Sequence, residues 1–329
     1  MRHTFIELAK KNPLLKKLGK KALKVREAYF RLITDEEFFL EYQKKFLMLP
    51  DSRDGKMALA DQYRKGNITI ITTPLIVYYE RLWRTISEMV EKKESYTIIR
   101  VGDGEANFLR GVIKGNTKSR HYTSDSAPDK KYLAQFKDGL LACDSLHVEM
   151  YKSVQGAFNG IYKNLVFSEI PLECIYALVA SRKIFKSNYT IGIIGADNKI
   201  AIIQQLFNHE EYRHYIGRDS FDDYISVPER GSSNDVTALT QHIVDNLNPN
   251  VDIYLIGVGV AKMAIMQHLK EKSNAVFIDV GCGISALAGL VSNDRPYFAD
   301  WINFRLKGFD YSTVDAVDAD MHQGGKMYV

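Results

Sequence analysis

The sequence has 329 residues, of which 46% are hydrophobic and 26% are charged. This composition is typical of a globular protein with enough apolar material for one large α/β domain or two smaller ones. The net charge is only +4, so a general nucleic-acid binder is not indicated and no nucleic-acid partner is expected. The three cysteines are scattered, without disulfide or zinc spacing, which is typical of a protein of the reducing cytoplasm.

The positive charge is concentrated at the N-terminus. Residues 1–25 contain Arg2 and seven lysines against a single acid, Glu7. Apolar residues recur at helical spacing over residues 9–33, which predicts a helix. Two interpretations stay open: the helix lies on an anionic membrane surface through residues 9–25, or it packs on the core with a solvated lysine face.

The sequence shows no pattern for secretion or for a membrane span. The basic N-terminus lacks the continuous apolar run of a secretory signal, and no run of about 18 apolar residues occurs in the chain. We therefore expect a cytoplasmic protein, with peripheral contact at the inner membrane face under the first interpretation of the basic helix.

Helical patterns continue beyond this basic start. Asp35–Phe46 is predicted as a helix, and Pro74–Lys92 shows a long helical pattern with its apolar residues on one side. We predict an N-terminal helical extension over residues 1–92, a catalytic domain over residues 93–295, and a C-terminal tail over residues 296–329 that packs on or near the site.

The rest of the chain alternates strand-like and helix-like segments. The predicted strands are Tyr96–Ile99, Ser145–Met150, Tyr189–Gly195, Tyr224–Val227, Val251–Ile256 and Ala275–Val280. The predicted helices between them are Asn107–Val112, Tyr132–Cys143, a helix ending at Phe207, Thr237–Asn246 and Val260–Lys272. Strand, glycine and helix recur in this order, which predicts a Rossmann-like, doubly wound, mostly parallel sheet with both faces covered. Such sheets bind ligands at the carboxyl ends of their strands.

The hexapeptide Arg-Val-Gly-Asp-Gly-Glu follows the first predicted strand. Its acids, Asp103 and Glu105, are two residues apart, so in an extended segment both carboxylates would point to one face and could hold Mg²⁺ or Mn²⁺. Arg100 could bind a phosphate through two parallel hydrogen bonds, and Gly102 and Gly104 would let a ligand approach the backbone. The hexapeptide therefore indicates a metal–diphosphate site, although Gly-Asp-Gly is also a common turn with solvated acids.

Glycine turns after the later strands supply further candidates. Backbone N–H groups that follow Gly257 could cradle a phosphate, with Lys262 adding positive charge. Tight packing of strand against helix is an equally open explanation of these glycines. The candidate nucleotide-binding residues of the second half are Gly195, Asp197, Lys199, Gly257, Lys262 and Asp279.

Weaker candidates lie elsewhere in the chain. Asp318-Ala319-Asp320, with Asp315 and His322 nearby, is either a metal–nucleotide motif or a solvated terminus. The polar segment 115–131 is either a lid over the ligand or an ordinary surface loop. His147 and Glu149 share a face of one predicted strand and are expected to be a supporting pair behind the site or a plain surface pair.

With the acidic motif and the glycine turns in this order, the sequence resembles the GT-D-fold glycosyltransferases, formerly a domain of unknown function, over about residues 96–290. The Asp-x-Glu metal motif of that family corresponds to Asp103-Gly104-Glu105, preceded by Arg100. The other matching segments are Ile193-Ile194-Gly195, Leu206-Phe207, Ile225-Ser226-Val227-Pro228, Leu255-Ile256-Gly257 with Ala261-Lys262, and Phe277-Ile278-Asp279-Val280-Gly281. The sequence departs from the family at Cys282, where the family usually has histidine.

The resemblance implies a metal-dependent glycosyltransferase of the hexosyltransferase type. The implied donor is a nucleotide-diphosphate sugar, with a UDP-sugar expected first, and the implied acceptor is a glycan, a glycolipid or a glycoprotein in surface polysaccharide or glycoconjugate synthesis. Asp103 and Glu105 would hold Mn²⁺ or Mg²⁺, and Arg100 would offset the charge of the leaving diphosphate. Two alternatives remain: another nucleotide-dependent nucleotidyl- or phosphotransferase, and a non-catalytic nucleotide-binding module.

Overall fold

Six parallel strands form the central sheet in the described part of the chain. The computed structural model describes residues 75–111, 122–123, 128–148, 156–158, 160, 165–290, 304–314 and 327–328. In chain order the strands are β1 (Tyr96–Val101), β2 (Ser145–Val148), β3 (Ile191–Ala196), β4 (Asp223–Val227), β5 (Ile253–Gly257) and β6 (Val276–Asp279). Their spatial order is β2-β1-β6-β5-β3-β4, and each neighbouring pair is parallel.

Helices connect these strands. In the described segments they are α1 (Leu75–Lys92), α2 (Asp103–Leu109), α3 (Lys130–Ala142), α4 (Glu173–Ala180), α5 (Asp197–Leu206), α6 (Glu210–Ile216), α7 (Val236–Asp245), α8 (Lys262–Lys270) and α9 (Cys282–Leu287). A 3₁₀ turn at Gly259–Ala261 precedes α8, and another lies at Tyr311–Thr313. A short parallel pair joins β7 (Arg305–Leu306) to β8 (Met327–Tyr328).

The inner strands are apolar along their whole length because both faces of the sheet are covered. Every residue of β3 and β6 is buried, and β5 is buried up to Gly257, which is partly exposed. Continuous apolar runs of this kind are typical of parallel strands between two helical layers. The register pairs Gly195 with Gly257, and Ile256 with Asp279. The carboxyl ends of β3, β5 and β6 therefore lie side by side at one edge of the sheet.

The two helical layers contact opposite faces of the sheet. On one face, α3 and α7 both pack against α8, which itself contacts β1 and β6. The approach of α3 to α8 is close at Gly139, where a Cβ atom would overlap the carbonyl oxygen of Met263. On the other face, α9 packs against α4, α5 and β5, while α1 contacts α4 and β6. Helices on both faces of a parallel sheet confirm the predicted Rossmann-like α/β fold.

The predicted elements agree with the structure in kind and differ from it at their ends. The helix predicted at Pro74–Lys92 is α1, and the six predicted strands are all present with shifted bounds. The helix predicted to begin near Asn107 begins at Asp103 instead, directly after β1. The sequence patterns did not indicate α4, α6 or α9. All eight residues of α4 are buried, so it has no polar face, while α6 and α9 span two turns or less.

Some predictions concern residues outside the described segments. These are the basic helix at residues 9–33, the helix at Asp35–Phe46, the acidic pair of the C-terminal tail and most of the loop at residues 115–131. The domain boundaries at residues 92 and 295 stay predictions. Within the described residues, no helix combines the length and apolar character needed to cross a membrane.

Candidate functional site

Four charged residues from four elements meet near the carboxyl edge of the sheet. They are Arg100 from β1, Glu105 from α2, Lys262 from the start of α8 and Asp279 from the end of β6. Three ion pairs of 2.7–3.2 Å join them, and their side chains are between 1% and 16% exposed. We call this group the charge cluster. Two positive and two negative side chains balance, which is the condition under which buried charges are tolerated.

Arg100 binds β6 through its backbone and its side chain. Its backbone N–H donates to Oδ2 of Asp279 at 3.1 Å, its Nε–H donates to the Asp279 carbonyl at 3.0 Å, and Nη2 lies 3.2 Å from Oδ1. Nη1 donates to the hydroxyl of Tyr176 on α4, and the guanidinium carbon lies 4.7 Å from the centre of the Tyr176 ring. Burial tends to lower the pKa of Arg100, but Asp279, together with Tyr176, Cys282 and Glu105, outweighs burial and raises the pKa well above its usual value.

Glu105 ties α2 to the rest of the cluster. Its Oε2 accepts the backbone N–H of Gly102 at 2.9 Å, which caps the start of α2, and its Oε1 lies 2.7 Å from Nζ of Lys262. Burial tends to raise the pKa of Glu105, but the Lys262 ammonium and the other donors outweigh this effect and lower the pKa to about 2. Glu105 is therefore ionised, and each of its carboxylate oxygens has a partner within the protein.

The acidic motif is helical, which corrects the expectation that both of its carboxylates point to one face. The expectation assumed an extended segment, but Asp103 is the first residue of α2 and Glu105 is the third. Residues two apart on an α-helix point in directions roughly 200° apart. Glu105 accordingly turns inward to the charge cluster, whereas Asp103 is exposed at the edge of the sheet. The two acids have different environments and cannot be assigned the same role.

Lys262 and Arg100, the two cations predicted to bind phosphate, form ion pairs with acids of the protein itself. The Lys262 side chain is 3% exposed, and its Nζ contacts Asp279 Oδ2 at 2.8 Å as well as Glu105. Arg100 is paired with Asp279 and covered by Tyr176. A direct contact of Lys262 with a ligand would require the ammonium to leave the carboxylates of Asp279, which is buried, and of Glu105, which is 16% exposed.

The candidates on α5 lie at the same edge of the sheet, at the end of β3. Asp197 is exposed, and its Oδ1 accepts the backbone N–H of Asn198 at 2.7 Å. Lys199 contacts Glu229 at 3.2 Å, which links α5 to the segment that follows β4. Neither residue touches the charge cluster in the structure, and their predicted role in nucleotide binding stays a prediction.

The glycines at the ends of β3 and β5 face a helix. A Cβ atom at Gly195 would lie 3.0 Å from Cγ2 of Ile284, and one at Gly257 would lie 2.6 Å from Cγ1 of the same residue. Ile284 belongs to α9, so the space beside these glycines accommodates helix packing. This favours the packing explanation of the two glycine turns over the phosphate-cradle explanation.

Asp103 could supply one carboxylate ligand to a divalent cation whose remaining ligands are phosphate oxygens and water. Among the described residues, no group of three or more His, Cys, Asp or Glu side chains could hold a metal ion. Mg²⁺ in nucleotide sites is commonly held by one or two carboxylates together with phosphate oxygens and water, and the exposed Asp103 fits this arrangement. Glu105, with one oxygen on Lys262 and the other on Gly102, does not fit as an equal ligand.

His147 lies on β2, beside the strand β1 that carries Arg100, and is fully buried. The register pairs it with Arg100, and its ring nitrogens contact the Ile170 carbonyl and the Ser145 hydroxyl at 2.8 Å each. Burial lowers the pKa of His147 to about 4, although the Ile170 carbonyl acts in the opposite direction. The expectation of a plain surface pair is therefore wrong for His147, and Glu149 lies outside the described residues.

We expect acidification to destabilise the protein through His147. Its folded pKa lies below the ordinary value of 6.5, so its contribution is complete above pH 6.5 and is lost as the pH falls towards 4, by about 3 kcal/mol in total. Urea unfolding at pH 7.5 and pH 4.5 should show a smaller loss of stability for His147→Gln than for the wild type. His242→Gln, at an exposed histidine, is the control; an unchanged loss in His147→Gln would contradict the assignment.

Comparison with known proteins finds similar solved structures at low sequence identity. No family model matches the sequence, and no curated protein matches it. One similar solved structure is described as the highly conserved domain of unknown function 1792, with a distinct glycosyltransferase fold; it is 11% identical, covers 69% of this chain and 86% of its own, and has a TM-score of 0.42. A selenomethionine-substituted structure of that domain is 13% identical, with coverages of 65% and 79% and a TM-score of 0.40.

Proposed function

We propose that the protein is a glycosyltransferase that takes its sugar from a nucleotide-diphosphate donor bound beside Asp103. The observation that carries the proposal is the exposed carboxylate of Asp103 at the carboxyl ends of the parallel strands. Asp103 is the first residue of α2, and the ion pair between Glu105 and Lys262 attaches α2 to the charge cluster. Ligands of α/β sheets bind at this edge. The Asp-x-Glu motif and the glycine turns, in the order found in GT-D-fold glycosyltransferases, support the choice of chemistry.

The charges at this edge favour a metal-dependent reaction. A donor diphosphate is negative and Asp103 is negative, while Arg100 and Lys262 are neutralised by buried acids. Without a further cation the donor and Asp103 would repel each other. Asp103 would hold Mg²⁺ or Mn²⁺ at this edge, and the cation would supply positive charge to offset the negative charge that develops on the leaving diphosphate.

The protein's own residues would then act in two groups. Asp103 would orient the diphosphate end of the donor, and Gly104, which follows it and is partly exposed, would leave room for the sugar and phosphate to approach the backbone. Arg100, Glu105, Lys262 and Asp279 would hold α2 in place from the interior. An acceptor hydroxyl would attack the anomeric carbon as the bond from that carbon to the diphosphate oxygen breaks, and the hydroxyl proton would pass to the departing diphosphate or to water.

The acceptor class that we propose is a glycan, a glycolipid or a glycoprotein of surface polysaccharide or glycoconjugate synthesis. The basic segment at residues 9–25, which lies outside the described residues, would suit contact with an anionic membrane that carries a lipid-linked acceptor.

We expect Asp103→Asn to lose metal-dependent donor cleavage. The substitution keeps the size of the side chain and removes its charge, so the loss should be on the order of a hundredfold or more in kcat/KM, which is typical when one electrostatic group of an active site is removed. The measurement is release of nucleoside diphosphate from a panel of nucleotide-sugars, with UDP-sugars first, in Mn²⁺ or in EDTA. Asp138→Asn, at an exposed acid on α3, is the matched control and should behave like the wild type.

The products of the same assay distinguish the alternative activities. Nucleoside diphosphate together with a glycosylated acceptor supports the proposal. Pyrophosphate or a phosphorylated product would identify a nucleotidyl- or phosphotransferase instead. Nucleotide binding without turnover for any donor would identify a binding module, and the glycosyltransferase proposal would then be abandoned.

A further inference from the structure

Lys262 is the point at which three structural elements are held together. Its side chain starts from α8, its ammonium contacts Glu105 of α2 at 2.7 Å, and it contacts Asp279 of β6 at 2.8 Å. The contact with Glu105 joins residues 157 positions apart in the sequence. The residue is 2% exposed, so these contacts are made away from solvent.

The helix that Lys262 holds depends on tertiary contacts for its position. α2 has only seven residues, and a helix of this length is not stable by itself in water. The side chain of Glu105 both caps α2 through Gly102 and binds Lys262. The position of Asp103, two residues before Glu105, is therefore set by the same contacts.

Glu105 and Asp279 together determine which charge Lys262 has to offset. Glu105 and Asp279 carry two negative charges, of which Arg100 offsets one through Asp279. The second charge is offset by Lys262. Without it, a carboxylate would be left in a site that water does not reach freely, and the protein would relieve this by moving Glu105, and α2 with it, towards solvent.

We propose that Lys262 is a positioning residue, which holds Asp103 in place through Glu105 and does not touch the donor. The inference rests on the proposed function for its catalytic consequence, whereas the holding of α2 is a property of the fold alone. It replaces the expectation from sequence that Lys262 contacts a donor phosphate.

Substitution of Lys262 by methionine distinguishes a positioning role from a direct contact with a donor phosphate. Lys262→Met keeps the length of the side chain and removes its charge. The matched control is Lys270→Met, at the other end of the same helix, where the lysine pairs with Asp144 away from the charge cluster. The rescue variant is Lys262→Met combined with Glu105→Gln, because glutamine can still cap Gly102 and carries no charge that needs Lys262.

The first measurement is hydrogen exchange of the full-length protein without ligands. We expect Lys262→Met to lower the protection of α2 by at least about tenfold relative to α5, and the double variant to recover most of it. Lys270→Met should leave α2 as in the wild type. Unchanged protection of α2 in Lys262→Met would overturn the proposal, whatever the protein's activity is.

The second measurement is donor turnover in Mn²⁺ by the same variants. Displacement of Asp103 should lower kcat on the order of a hundredfold in Lys262→Met, with a smaller change in the donor KM, and the double variant should regain at least about tenfold. A raised donor KM that the double variant does not correct would show a phosphate contact and overturn the proposal. If the wild type turns over no donor, the proposed function fails, and the exchange experiment still decides whether Lys262 holds α2.

Discussion

Asp279→Asn is expected to destabilise the protein by about 3–5 kcal/mol, because it leaves two buried cations with one acid between them. The Asp279 side chain is 1% exposed and accepts from the Arg100 backbone, the Arg100 guanidinium and the Lys262 ammonium. Asparagine has the same shape, so the loss reports the missing charge and an amide N–H₂ directed towards a cation. Chemical unfolding followed by circular dichroism measures it.

The matched control for this prediction is an ion pair of similar length at the surface. Glu80 lies 2.8 Å from Lys183, and its side chain is 49% exposed, so Glu80→Gln should cost less than about 1 kcal/mol. A second variant tests the cause: Asp279→Asn combined with Lys262→Met restores charge balance between Arg100 and Glu105 and should recover part of the loss. Equal losses for Asp279→Asn and Glu80→Gln would contradict a central role for the charge cluster.

The sequence predicted the fold because the pattern that specifies it is local. Apolar runs such as Ile191–Ala196 are continuous where a strand is buried on both faces, and a glycine turn follows several of them. Since the carboxyl ends of parallel strands share one edge, the same pattern also placed Arg100, Lys262 and Asp279 at one edge. Their proximity could therefore be predicted without any knowledge of their contacts.

The contacts themselves could not be predicted from the sequence. Whether Lys262 faces a ligand or a buried acid depends on Glu105, which is 157 positions away, and spacing along a chain does not report such pairs. The sequence predicts an extended acidic motif because the motif follows directly after a predicted strand, yet α2 begins there with Glu105 as its cap. Tyr176 was missed because every residue of α4 is buried, so α4 has no helical alternation of polar and apolar residues.

Gly281, which lies two residues after the end of β6, has a steric role that could not be predicted from the sequence. Gly281 has a φ of +47°, a conformation that residues with a side chain rarely adopt. A Cβ atom there would overlap Nη2 of Arg100 and lie 2.8 Å from its Cζ. The end of an arginine side chain can usually move aside, but here Asp279 and Tyr176 hold it in place.

We therefore expect Gly281→Ala to cost about 4 kcal/mol in stability, of which about 1–3 kcal/mol is backbone strain at φ +47° and ψ −112° and the rest is displacement of the guanidinium. Gly308→Ala is the comparison for a positive φ without a steric contact, because Gly308 has a φ of +72° but a Cβ there would meet no described atom within 4 Å. In an Arg100→Met background the cost of Gly281→Ala should fall towards that of Gly308→Ala, since the two residues are coupled through contact. An undiminished cost in that background would mean that strain alone explains Gly281, and that the position of Arg100 does not depend on the absence of a side chain there.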